Sequence, residues 1–227
     1  VSTPTWVDDW LTPERFRKYR EAAGGDVGLA LALYDWNAEL ASAFLRDLGH
    51  LEVGLRNAYD RALLRLPEVG SDWIDASGAF AAFPPHWAVD RRGVRRDKNA
   101  TPRSSIRSAR VRSGYTEGVV PRGKVVAELG LGFWTYLTDD MHEKQLWVRT
   151  LRTAYVAGAD RAKLHRALSA LREVRNRVAH HESIFDRAPE SQRRYLVYVA
   201  RHLSADLRDH IVRTSRLPEL LAHRPSS

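Results

Sequence analysis

The stretch REVRNRVAHHESIF, residues 172–185, concentrates the side chains best suited to chemistry: three arginines, an asparagine and two adjacent histidines. Arginine is permanently charged and grips a phosphate through two parallel N–H bonds. Histidine, with a reference pKa of about 6.5, gives or takes a proton near neutral pH. Asparagine can hold either group, or a substrate, in place. A set that needs no carboxylate suits metal-independent cleavage of a phosphodiester. In RNA the nucleophile is internal. A base removes the 2′-hydroxyl proton, the oxygen attacks the adjacent phosphorus, and a cation stabilises the pentavalent state. DNA lacks that hydroxyl, so this chemistry would select RNA.

Two plainer explanations compete. A histidine pair at a helix end could hold a metal, but His180 and His181 are neighbours and diverge by about 100° on a helix. His165 lies about four turns away, and Glu182 adds little, so no metal site is expected. A solvated basic helix end, favourable to the helix dipole, needs no ligand at all. The stretch alone leaves that explanation standing.

The helix that must carry these residues is legible. Asp160 can cap it, and Leu164, Ala167, Leu168, Leu171, Val174 and Val178 form a core stripe at helical spacing. Arg172, Asn176 and His180 lie four apart on one flank, with Arg175 beside Asn176. Arg175 and His180 are about 140° apart on an ideal helix. They converge only if the helix end loosens or another surface wraps the site. Ser183 and Pro189 suggest that the helix ends near there. Glu173 and Arg177 have the spacing of a structural ion pair.

Other elements follow from the same rules. Thr12-Pro13-Glu14 starts a helix to about Ala22, stopped by Gly24-Gly25. Asp26 can cap a run with helical apolar spacing from Val27 to Leu66, kinked or divided at Gly49 and closed by Pro67. Trp73 and Trp87 are expected to anchor an irregular stretch, residues 67–100, on the core. Helices are expected from Thr101 to Ser113, from about Gly123 through KVVAELGLGFWTYL with Gly130 and Gly132 weakening its centre, and from Met141 to Tyr155. A last long helix runs from Pro189 to about Thr214, and Pro218 begins a short tail. No alternating strand pattern persists. The expected fold class is all-α, one helical bundle over residues 1–227.

Charge is unevenly spread. The formal net charge is +8, yet residues 91–124 hold nine Arg and two Lys against Asp97 and Glu117. This excursion therefore supplies the whole excess. A concentrated basic segment points to a polyanion, RNA or DNA above all, against the alternative of a solvated loop. Cysteine is absent, which removes disulfides, thiolate zinc sites and cysteine nucleophiles. VSTPTWVDDW lacks the features of a signal peptide, and no apolar run reaches the roughly 18 residues of a membrane span. A cytoplasmic protein with no membrane association is expected.

Arg175-Asn176-Arg177-Val178-Ala179-His180 matches the Arg-Asn-x-x-x-His form of the Arg-x(4–6)-His motif of HEPN-domain ribonucleases. The longer string LREVRNRVAHHESIF resembles the C-terminal signature of the Abi-like branch (abortive infection, AbiD/AbiF-type) of that superfamily. LYDWNAELASAF with LGHLEVGLRNAYDRAL is similar to the N-terminal helices of the branch, and VVAELGLGFWTYL to its central helix. These blocks cover most of the chain in the expected order.

The resemblance implies a HEPN-type bundle and metal-independent endoribonuclease activity in phage defence, without a cofactor. It also implies a composite site made where two motifs meet. This chain has one full motif. Arg56-Asn57 begins another, but Asp60, Arg61 and Ala62 stand where a histidine would be needed. A homodimer is therefore expected, with Arg175, Asn176 and His180 of each copy facing one another. In that site His180 is the proton carrier, Arg175 the phosphate ligand and Asn176 the orienting group; Arg172 and His181 give support. His50, Glu52, Arg56 and Asn57 are polar positions on an apolar helix, suited to a buried network or to site support. Arg91, Arg92, Arg95, Arg96, Arg103, Arg107, Arg110 and Arg112 would contact the RNA backbone, and Tyr115 could stack on a base or pack. A regulatory small non-coding RNA is a possible partner. The alternatives are a non-cleaving HEPN module that holds a structured RNA and a toxin–antitoxin subunit.

Overall fold

The computed structural model describes residues 3–70, 72–89, 92–117 and 119–226. Two short helices, α1 (Thr5–Leu11) and α2 (Pro13–Ala22), lead into α3 (Val27–Leu63). Thr12 does not cap α2 with its side chain; its backbone sits at φ +59°. Asp26 does cap α3, accepting the Leu29 N–H at 2.9 Å. Gly49 does not divide the run, and α3 is unbroken for 37 residues. A single helical glycine costs only about 1 kcal/mol, and burial of Phe44, Leu48, Leu51 and Leu55 on either side outweighs it.

Beyond a turn at Pro67–Val69 come α4 (Ala76–Ala82) and a small antiparallel hairpin of β1 (Trp87–Val89) and β2 (Arg95–Asp97). The hairpin was not expected: three-residue strands are too short to show alternation. Trp73 is fully buried as expected, whereas Trp87 is 56% exposed and packs under the Arg95 guanidinium instead of the core. The basic helix α5 (Ala100–Ser113) ends on Gly114 in the left-handed region, a glycine C-cap.

The expected helix from Gly123 is two short ones, α6 (Arg122–Ala127) and α7 (Leu131–Tyr136), because Gly130 is extended between them. No α-helix covers Met141 to Tyr155. That stretch is a chain of 3-10 and π turns, held at Asp139, which caps His142, and at Thr150, whose hydroxyl donates to the Ala62 carbonyl of α3. Next come α8 (Arg161–Ala179), capped by Asp160, and α9 (Pro189–Leu203). The expected single terminal helix breaks at Ser204, which is extended and caps α10 (Ala205–Thr214) through the Leu207 N–H. The tail holds α11 (Leu217–Ala222), with Pro218 inside its first turn. The architecture is all-α with one hairpin.

One polar network ties the basic excursion to the body. The Asn99 amide donates to the Pro84 carbonyl at 2.7 Å, which turns its oxygen toward His142 Nε2 at 3.0 Å. His142 Nδ1 meets Asp139 at 2.5 Å, and Tyr136 donates to the Lys98 carbonyl at 2.9 Å.

The loop after α8 is pinned to α3 by one side chain. Asn37, buried in the α3 stripe, accepts from the backbone N–H groups of Ile184 and Phe185 at 2.9 and 3.1 Å. Asn37→Ala orphans both donors, and chemical denaturation should show a loss of about 2–4 kcal/mol. An unchanged midpoint would mean that the loop re-solvates freely.

Candidate functional site

The C-terminal half of α8 lies against α3 and α7, and its last turn carries the motif. The core stripe of α8 is buried residue for residue as the spacing predicts. Arg177 is structural: it pairs with Glu173 at 3.6 Å and Glu182 at 3.0 Å. The α-helix stops at Ala179, earlier than Ser183. His180 sits just beyond it at φ −99°, ψ 12°, the sparsely allowed bridge region. Its N–H still bonds the Asn176 carbonyl at 3.1 Å, so the bridge-region ψ redirects the chain after His180, and the separation of about 140° from Arg175 on an ideal helix is left for another surface to bridge. His181 follows with φ +54°, and its carbonyl accepts the Arg15 guanidinium of α2.

Asn176, His180 and Arg172 are exposed and Arg175 is half-buried. Arg172 lies along α7, its Cδ 3.6 Å from where a Cβ on Gly132 would stand. Half-buried Glu52 of α3 lies within electrostatic reach of Arg175. Burial raises its carboxyl above the ordinary carboxylate range; Arg175, the Leu131 N–H at the start of α7 and Arg56 pull the other way. Glu52 of α3 thus feels groups of both α7 and α8. Of the other polar α3 positions, Asn57 is exposed, and His50 packs edge-on against His210, ring centroids 5.2 Å apart. Arg15, Asn37 and the placement of Glu52 are what sequence reasoning missed or left undecided. An acid and a base four apart on an apolar helix was the signal for Glu52, and a lone amide in a core stripe was the signal for Asn37. Nothing marked Arg15.

A groove of about 660 Å³ runs between α5 and the α6–α7 turn. Thr101, Ser104, Ser105 and Ser108 line one side, and Gly130 and Gly132 the other, so one end reaches the α7 surface on which Arg172 lies. The basic residues divide. Arg91 lies outside the described residues. Arg103 is spent on Asp97 and the Phe83 carbonyl, and Arg112 on Glu128 at 2.8 Å. Arg110 covers the ring of Tyr115, whose hydroxyl donates to Asp75 at 2.9 Å, so Tyr115 packs. Arg92, Arg95 and Arg96 are exposed on the hairpin, and Arg107 is exposed on α5. Among the described residues no cluster of His, Asp and Glu could hold a metal, and no helix is long and apolar enough to cross a membrane.

The all-α fold presents this Arg-Asn-x-x-x-His string at a helix end closed by the left-handed His181 and the Glu182 N–H on the Arg177 carbonyl at 2.8 Å. The chain belongs to the Abi-like protein family, whose model matches residues 10–186. Membership associates it with abortive infection, a phage-defence response. No curated protein and no solved structure matches it.

Two outcomes follow. Glu52→Gln removes a charge that burial disfavours, so thermal denaturation at neutral pH should show a stability equal to or above that of the natural chain. The sign is that of a raised carboxyl: the deficit of the natural chain is present above the folded pKa and vanishes as pH falls below the unfolded one. Arg107→Gln should lower the salt slope of RNA binding by about one if this residue contacts one phosphate; an unchanged slope removes it from the interface.

Proposed function

We propose that the chain is a cytoplasmic, metal-independent endoribonuclease of the HEPN type that acts in phage defence as a homodimer. The observation that carries this reading is the state of the motif. His180 and Asn176 are exposed at the end of α8 and make no side-chain hydrogen bond among the described residues, while the half-buried Arg175 lies within electrostatic reach of Glu52, a half-buried carboxylate of α3. A solvated helix end would not need a half-buried carboxylate within electrostatic reach of its arginine. One copy presents half of a site, and a second copy completes it.

The chemistry assigns the roles. One His180 takes the 2′-hydroxyl proton, and the oxygen attacks the adjacent phosphorus. His180 of the second copy returns a proton to the departing 5′-oxygen, leaving a 2′,3′-cyclic phosphate and a 5′-hydroxyl. Arg175 stabilises the charge that builds on the phosphoryl oxygens. Asn176 orients the imidazole or the hydroxyl, and Glu52 positions Arg175 without touching substrate. The hydroxyl-lined groove beside α5 offers the strand a route away from the site, and the exposed arginines of the hairpin supply charge along its approach.

His180→Ala and Arg175→Ala should each slow RNA cleavage by about 10²–10⁴-fold with unchanged melting temperature, and the natural chain should cleave fully in EDTA. Mixing the two inactive variants should not restore activity, because a mixed dimer holds one His180 where the reaction uses one from each copy, and adding excess His180→Ala chain to the natural chain should lower its activity. Full activity of His180→Ala would end the proposal.

A further inference from the structure

A second pocket opens on the seam between α8 and α9. It measures about 350 Å³ and is lined by Lys163, Arg166, Arg194, Tyr195 and Tyr198. Around an ideal helix Arg166 lies about 180° from Arg175 but only about 40° from His180; what separates this pocket from the motif is the rise along α8, about 14 Å to Arg175 and about 21 Å to His180. No acid lines the pocket. Asp160 caps α8 and pairs with Lys163 at 3.8 Å. Arg194 donates to the neutral Ser191 hydroxyl at 2.6 Å, which leaves its charge uncompensated. Arg166 has no hydrogen bond or ion pair among the described residues.

The walls are rigid. Tyr195 and Tyr198 are half-buried and pack on the core, and Tyr198 backs onto His202 with ring centroids 4.2 Å apart. Burial, helped by Asp160, raises the Tyr198 hydroxyl, so it remains a neutral donor. Two uncompensated guanidinium groups beside two fixed phenol rings form an unusual combination. The cations ask for an anion with several acceptor oxygens. The rings ask for a flat partner. A phosphate-bearing nucleobase satisfies both, and the volume falls at the small end of ligand sites, which span about 300–1,000 Å³.

We propose that this pocket binds one nucleotide, its phosphate on Arg166 and Arg194 and its base against Tyr195. A soluble nucleotide and a single unit of an RNA strand share this chemistry. Arg194, Tyr195 and Tyr198 lie beyond residue 186, where the match to the family model ends.

The test uses the full chain carrying His180→Ala, so that it measures binding whether or not the protein cleaves RNA. Fluorescence anisotropy follows a labelled adenosine triphosphate, a labelled guanosine triphosphate and a labelled single-stranded hexanucleotide RNA. Arg166→Glu with Arg194→Glu should weaken binding at least tenfold. Tyr195→Ala should weaken it about tenfold, and Tyr195→Phe should not. Arg166→Gln with Arg194→Gln serves where charge reversal lowers the melting temperature. Loss confined to the triphosphates identifies a soluble nucleotide as the ligand; loss confined to the RNA identifies a unit of the strand. The proposal is overturned if the parent binds none of the probes, or if the variants bind all of them as tightly as the parent.

Discussion

The structure depends on one constraint, the continuity of α3. A helix of 37 residues spans about 55 Å, far more than one layer of packing can cover, so its buried stripe must be served by different partners along its length. Near its start Trp36 and Asn37 receive the α11 end and the loop after α8. In the middle Gly54 lets α10 come close; a Cβ there would stand 2.6 Å from Leu207 Cδ2. Near its end Tyr59 meets the Tyr155 hydroxyl at 2.5 Å, and Asp60 holds the Trp73 indole at 2.8 Å. Because these partners come from the whole chain, α3 serves as the frame on which distant segments are brought into register.

Most of that frame was legible from the sequence. The apolar spacing of α3 and α8, the caps Asp26 and Asp160, and the stop at Gly114 all follow from local rules, and the structure has them. The errors share a cause. Gly49 was overruled by tertiary burial on both sides. The segments 141–155 and 189–214 have helical composition, but their backbone geometry is decided by single hydrogen bonds to remote groups, at Thr150, or by a local cap, at Ser204. Such bonds leave no periodic trace.

The candidate site divides in the same way. Its chemistry-bearing residues stood in one string and could be read directly. Its support could not, because Glu52, Asn37 and Arg15 come from separate turns of two other helices. The basic segment looked uniform as a string, yet the fold sorts it. Arg103 and Arg112 hold the excursion together, and Arg107 faces solvent. Net charge fixes neither role; proximity to Asp97 and Glu128 does.

The two adjacent histidines, similar as letters, have unlike occupations. His180 offers an imidazole. His181 offers a backbone: its left-handed φ turns the chain off the helix and aims a carbonyl at Arg15. Among side chains other than glycine, His, Asn and Asp enter that region most readily. Position 181 is thus a conformational slot in which Asn or Gly would serve and a β-branched residue would not. A substitution there would report on loop geometry as well as on the imidazole.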